Sequence, residues 1–437
     1  MGFDEAALTQ VLDSLPQASG WLLAYSGGLD SSVLLHAMAR LDRRPLRAVH
    51  IHHGLLPHAD AWSGHCLRTC RDLGVPLEVV RLELEIPAGE SLEAVAREAR
   101  YAAIGALLQE GEMLLTAQHR DDQAETLLLQ ALRGAGIEGL AGMPACRQWR
   151  GGWHARPLLG FSRAELQAWA QQRRLDWIDD PSNRDRRFDR NYLRHEVMPR
   201  LAARWPAAAQ TLARTSGHLA DSLEVLQALA QSDLESCRRA GELRLAPLRE
   251  LSRPRRAMVL RAWIREHGHR VPDQRRMQQV EEQVLRADVA GSPRIDWGGV
   301  SLRRYRELLC LTPNPLPAEP RDRLTWPEPG PLRLPAGCGE LRLVETEQGL
   351  PRRYWSEGRV SVRWPEEGLR CRLQGRAGSR SLKKLCQEWA VPPWERPYLP
   401  LVYVDDRLAA VAGFGLCEGV TQFDGPGLRP VWTGLSQ

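Results

Sequence analysis

Between residues 21 and 133 short apolar runs alternate with helix-patterned segments, and few folds accept that order. WLLAY (21–25), RAVHI (47–51), LEVVRL (77–82) and MLLT (113–116) read as buried strands. Segments 31–41, 61–73, 91–110 and 121–133 read as helices, the third opened by Ser91 with Glu93 in its first turn. Strict alternation of strand and helix predicts an α/β fold, a doubly wound parallel sheet with helices on both faces. Ligands of such sheets bind beyond the carboxyl ends of the strands. The chemically unusual residues of this chain fall there.

A chain of 437 residues exceeds one ordinary core, and a length prior suggests about three domains. The α/β pattern and a helical Arg/Asp-rich extension, with a turn at Asp180-Pro181-Ser182-Asn183, predict an N-terminal domain over 1–215. Residues 216–312 read as a mainly helical, basic domain, and the proline-dense stretch 313–337 as a linker. Residues 338–437 mix strand-like runs (LRLVE, RVSVRW, LPLVYVDD, LAAVAGF) with one helix near 380–390, as a small α+β domain would. Nothing approaches the roughly 18 unbroken apolar residues of a membrane span. The opening MGFDEAALTQ is acidic and lacks a basic-then-apolar leader pattern. Cytoplasm is therefore the expected location, with no membrane partner, and the oligomeric state stays open, a homodimer being one arrangement. The nine cysteines (66, 70, 146, 237, 310, 338, 371, 386 and 417) include no CxxC pair and read as small buried hydrophobes of a reduced chain.

Net charge is only +5, but 57 of the 59 basic residues are arginine and the two lysines are adjacent, Lys383 and Lys384. Residues 251–310 hold 13 arginines against seven acidic residues, and residues 371–400 hold six basic residues against Glu388 and Glu395. Local basic excess of this size favours a polyanionic partner.

Strand 21–25 runs directly into Ser26-Gly27-Gly28-Leu29-Asp30-Ser31-Ser32, which opens the first helix. Two glycines let the backbone turn tightly and present successive N–H groups to an anion, and the helix aims its positive end at the same place. Ser26 and Ser31 add hydroxyl donors. The Asp30 carboxylate cannot donate to an anion, so it calls for a cation, Mg²⁺ on bound phosphates. Neither the Walker A nor the GxGxxG pattern is present. A second group, His119, Asp121, Asp122 and Glu125, follows strand 113–116 and reaches the same sheet edge. Asp122 and Glu125 stand three apart and share a helix face, where they could bind Mg²⁺, a substrate ammonium or a proton in transit. Arg97 and Arg100, also three apart, could clamp phosphate or stabilise a leaving pyrophosphate. Arg190, Asn191 and Arg194 form another one-turn stretch within reach of the site.

The complete SGGxDS loop resembles that of the ATP-pyrophosphatase superfamily, which binds ATP there and splits it between the α- and β-phosphates. HIHHGL (50–55), AREARY (96–101), TAQHRDDQAETLLLQALRGAGIEGLAGM (116–143), RPLL (156–159) and DPSNRDRRFDRNYLRHEVMPRL (180–201) narrow the resemblance to the tRNA(Ile)-lysidine synthase family. LKKLCQEWAVPPWERPYLPLVYVDDRLAAVAGFG (382–415) resembles the last domain of that family. Two departures stand out: Gln118 replaces a usual second histidine, and HIHHGLL replaces the more usual HVNHGLR, which affects His52 and Leu56.

The resemblance implies ATP and Mg²⁺ as cofactors, and tRNA(Ile) with a CAU anticodon and free L-lysine as partners. It implies that the C2 oxygen of the wobble cytidine attacks the α-phosphate of ATP, after which lysine displaces AMP. Ser26, Gly27, Gly28, Leu29, Asp30 and Ser31 would hold ATP, with Asp30 as the metal ligand. Asp30, His119, Asp122, Glu125, Arg97 and Arg100 would carry catalysis, and Arg380, Lys383 and Lys384 would grip RNA. A tRNA thiolase of the same superfamily, a small-molecule amidating synthetase and a non-catalytic RNA-binding module are the alternatives.

Overall fold

The apolar runs of the N-terminal half form strands β1 (Gly20–Ala24), β2 (Leu46–His52), β3 (Leu77–Arg81) and β4 (Glu112–Leu115), joined by β5 (Cys146–Trp149) and β6 (Gly152–Ala155). This computed structural model describes residues 2–43, 45–52, 59–82, 92–239, 241–285, 293–420 and 427–434. The chain divides into two units, Met1–Leu226 and Gln227–Gln437. In the first, the sheet order is β3-β2-β1-β4-β6-β5. All neighbours pair in parallel except the edge strand β5, which pairs antiparallel with β6. That edge hairpin, absent from the sequence expectation, turns through Arg150 (φ 49°) and Gly151 (φ 78°), the left-handed pair that a tight hairpin requires.

The helices up to residue 172 are α1 (Glu5–Asp13), α2 (Leu29–Arg40), α3 (Ala59–Asp72), α4 (Leu92–Leu107), α5 (Arg120–Leu132), α6 (Ile137–Leu140) and α7 (Arg163–Gln172), and a helical stretch through Asp189–Tyr192, Leu193–Val197 and Met198–Arg204 follows. Successive strand residues point to opposite faces. Leu23 and Leu115 accordingly join a core with Leu34, Met38 and Trp169, while Leu22 and Leu114 join a second one with Val49 and Ile104. Two cores on one sheet are the doubly wound arrangement that the alternation predicts. Ser91 and the Glu93 side chain, expected to open α4, lie outside the described residues. The chain leaves β1 for β2 on one side, and β4 flanks β1 on the other. The crevice at the carboxyl ends of β1 and β4 is thus the topological switch point, where α/β sheets bind ligands.

In the second unit, residues expected to be mainly helical carry a five-stranded antiparallel sheet that includes Arg294–Trp297, Val300–Tyr305 and Leu308–Pro313. The sheet packs Leu302 and Leu309 against Leu260 and Trp263 of helix Arg253–Glu266. Its hairpins turn at Gly298-Gly299 and at Arg306, all with positive φ. The long helix Ala208–Cys237 runs through the 215/216 boundary that composition suggested. The expected linker also differs: Leu324–Thr325 pairs with Val360–Arg363, Leu332–Arg333 pairs with Glu340–Thr346, and Trp326 is buried in the C-terminal core. Proline removes backbone donors, so these strands are short and sit at sheet edges. The C-terminal segment is α+β as expected, with Leu401–Val404 and Arg407–Val411 central to its sheet and helix Leu382–Glu388 beside it. Among the described residues no helix is long and apolar enough to cross a membrane.

Candidate active site

The loop after β1 is held open by its own side chains. Gly27 has φ +81°, and a Cβ there would lie 2.5 Å from Ile178 Cδ1 and 2.9 Å from Cys66 Sγ. Only glycine fits both the backbone and the space. Its carbonyl accepts from Ile178 N at 2.8 Å and from Ser32 Oγ at 3.3 Å, which fastens the loop from behind. Gly28 is the N-cap of α2, and Ser31 Oγ donates to the Gly28 carbonyl at 3.0 Å. Ser26 Oγ lies 3.0 Å from Ser31 Oγ, so both hydroxyls stand beside the first turn of α2. The first N–H groups of a helix have no intrahelical acceptor. Loop, hydroxyls and helix end therefore converge as an anion cradle.

His119 caps α5 from the neighbouring strand end. Its Nδ1 accepts from Asp122 N at 3.4 Å, while His119 N donates to Asp122 Oδ2 at 3.1 Å, a reciprocal capping box. The ring is buried, and its Nε2 lies 3.7 Å from Asp30 Oδ2 and 3.4 Å from Asp122 Oδ2. The structure thus brings Asp30, His119 and Asp122 together, as the sequence suggests. Asp121 Oδ2 also lies 3.6 Å from His119 Nδ1, and it accepts from Arg163 N at 2.9 Å at the start of α7.

Glu125 is 2% exposed and already engaged: Arg194 Nε and Nη2 donate to its two oxygens at 2.7 and 2.9 Å, and Arg190 Nε lies 3.3 Å away. Arg194 Nη2 also reaches Asp122 Oδ1 at 2.8 Å. Burial opposes the Arg194 charge, but the Glu125 and Asp122 carboxylates outweigh it and hold the guanidinium ionised well above its ordinary range. Burial also pushes the Asp30 carboxyl up, with His119 opposing. Asp30 Oδ1 is buried without a hydrogen-bond partner among the described residues. A hard cation meets that need, and Mg²⁺ characteristically takes one or two carboxylates and completes its shell with substrate phosphates and water. The residues present fit it.

The other expected residues make the following contacts. The Arg97 and Arg100 guanidiniums lie 5.2 and 5.5 Å from the Tyr101 ring. Asn191 donates to the Ser182 and Asp185 carbonyls and holds the 180–191 turn together. His52 stands 3.4 Å from Asp60, and His53 through Leu56 lie outside the described residues. Cys66 and Cys70 are buried, and burial pushes both thiols up to about 12, too high for nucleophiles at neutral pH. In the second unit Arg380 pairs with Glu388 at 2.5 Å, as Arg376 does at 2.7 Å. Lys383 and Lys384 are exposed at the start of their helix and join no ion pair among the described residues.

Residues 3–201 match the PP-loop domain family, residues 243–310 the TilS substrate binding domain and residues 360–432 the TilS substrate C-terminal domain. The chain is similar to the tRNA(Ile)-lysidine synthase of Pseudomonas aeruginosa, 45% identical over 428 residues that cover 93% of this chain and 92% of that protein. It is 40% identical to the Coxiella burnetii protein of the same name over 95% of this chain and 94% of that one. The Pectobacterium atrosepticum protein of that name is 40% identical over 98% of each.

Proposed function

The chain belongs to the tRNA(Ile)-lysidine synthase family of ATP-using ligases, and from that premise we propose the roles of its residues. It ligates free L-lysine to C2 of the wobble cytidine in the CAU anticodon of tRNA(Ile), in the cytoplasm. The observation that carries this reading is the meeting of SGGLDS with His119, Asp122, Glu125 and Arg194 where β1 and β4 end.

The cradle of Ser26, Gly27, Gly28, Leu29 and Ser31 takes the phosphates of ATP. Mg²⁺, with Asp30 as its protein ligand, would offset the negative charge of the triphosphate. The C2 oxygen of cytidine attacks the α-phosphorus, and the bond to pyrophosphate breaks. Arg97 and Arg100 supply positive charge for the departing anion. Lysine then attacks C2 through Nζ, and the bond from C2 to the adenylate oxygen breaks to release AMP. An ammonium with an ordinary pKa near ~10.4 must first lose a proton. Asp122 takes it, oriented by Arg194 on its Oδ1 and by His119 N on its Oδ2. Glu125 acts through Arg194 as a positioning residue. The basic second unit binds the RNA by shape and phosphate, with Arg380, Lys383 and Lys384 among the residues that grip it.

Labelled lysine supplied with ATP and total transfer RNA should enter one RNA species, with one AMP and one pyrophosphate per lysine. Pyrophosphate release that needs a sulfur donor and no lysine would favour a thiolase instead, a reading that the buried, high-pKa Cys66 and Cys70 do not support.

A further inference from the structure

Between β4 and His119 the chain passes through Thr116 and Gln118, and the hydrogen bonds there run in one direction. They start at Arg156, which is 4% exposed and pairs with no carboxylate among the described residues. Its Nη1 donates to the Pro144 carbonyl at 2.8 Å, and its Nη2 faces His154 Nδ1 at 3.4 Å. A guanidinium has donors only, so His154 Nδ1 must accept. The proton of the neutral ring then sits on Nε2, which lies 2.8 Å from Thr116 Oγ1. A hydroxyl carries one proton; receiving from His154, Thr116 spends its own on Gln118 Oε1. The carboxamide oxygen is thereby occupied, and the amide nitrogen is left with its two donors.

We infer that Gln118 is a substrate-contacting donor whose amide meets an oxygen acceptor of the reacting substrates, oriented by Thr116, His154 and Arg156. This rests on the adenylating function proposed above. Two oxygens share the required chemistry, a phosphate oxygen of ATP and the C2 carbonyl oxygen of cytidine. Gln118 is half-buried, next in sequence to the His119 that faces Asp30 and Asp122. The relay survives changes of pH, because burial and then the neighbouring Arg156 and Arg147 lower the His154 pKa to about 3. A histidine near the ordinary ~6.5 would protonate at mildly acidic pH, make both ring nitrogens donors and break the sequence.

The test is a double-mutant cycle on single-turnover adenylation of tRNA, with thermal unfolding followed in parallel. Gln118→Met removes the donors at similar volume and should lower kcat/KM about tenfold, the scale of one net hydrogen bond. Gln118→Glu keeps an oxygen for Thr116 but offers a carboxylate to the acceptor, and should lose more. Loss in the ATP titration identifies a phosphate oxygen, and loss in the tRNA titration at saturating ATP identifies the cytidine. Thr116→Val should cost several-fold alone and nothing further in the Gln118→Met background, since it acts through that side chain. Thr116→Ser, which retains the hydroxyl, should restore the rate. Wild-type kinetics in both Gln118 variants, or an equal Thr116→Val cost in both backgrounds, would overturn the inference. A wild-type enzyme that fails to adenylate tRNA would overturn the functional reading instead.

Discussion

Glu125→Gln tests whether the buried carboxylate works by holding Arg194. The substitution preserves volume, removes one charge and leaves a single acceptor oxygen where two now receive Arg194 at 2.7 and 2.9 Å. Hydrogen bonds to charged groups are worth about 1.5–3 kcal/mol each, and stripping a buried ion of all partners costs about 3–5 kcal/mol. Arg194 retains Asp122 at 2.8 Å, so the expected loss is intermediate, about 2–3 kcal/mol. For a unit of this size that lowers Tm by about 4–12 °C. In an Arg194→Met background the sign should reverse. There Glu125 is a buried charge whose remaining cationic neighbour among the described residues is Arg190, with Asp122 repelling it, and the neutral glutamine should stabilise. Thermal unfolding of the four proteins gives the stability cycle. Lysine transfer from pre-formed adenylated RNA gives the kinetic one, in which the single Glu125→Gln variant should accumulate the adenylate. A Glu125→Gln penalty equal in both backgrounds, or wild-type lysine transfer, would refute the assignment.

Asp30→Ala should abolish adenylation and leave tRNA affinity within about twofold, since the charge proposed to grip RNA lies in the second unit; a filter-binding titration that falls in step with activity would count against a dedicated ATP role. Lys383→Ala with Lys384→Ala should flatten the dependence of log Kd on log salt by roughly 0.7–0.9 for each phosphate that is no longer neutralised, with ATP affinity unchanged. Superimposable salt titrations would return the pair to a solvated surface. Burial, reinforced by nearby Glu242, pushes the Glu395 carboxyl up to about 7. Its native pKa exceeds its unfolded value, so its contribution is fully present below about pH 4 and is lost as pH rises through about 7. Tm of the wild type should therefore fall over that window, and Glu395→Gln should flatten the fall; identical Tm–pH curves would dismiss the carboxyl as a contributor.

Short-range features of the site were legible because neighbouring residues impose them. Gly27-Gly28 permits the turn, Asp30 and Ser31 begin a helix, and His119 with Asp122 close a capping box across three residues. None of these needs a distant partner, and the strand–helix alternation places them at one sheet edge. The helical reading of 216–312 had no such protection. Arginine serves either a helix or a strand face, so the period-2 pattern of 294–313 is blurred, although Gly298-Gly299 is a hairpin signal. In 313–337 the proline density suggests a linker, but proline is equally compatible with the short edge strands found there.

The sequence alone determined the doubly wound sheet and the anion loop, since both follow from patterns within a few residues of one another. The tertiary structure decided what each charge does. Arg194 meets Glu125 and Asp122 across 69 and 72 residues, Thr116 meets His154 across 38, and Ile178 closes on Gly27 from another segment. Arg380, proposed above to grip RNA, meets Glu388 only in the folded chain. A carboxylate or guanidinium has the same composition whether it is buried against an opposite charge or left in water. Desolvation and partner geometry make the difference, and both exist only once the chain has folded.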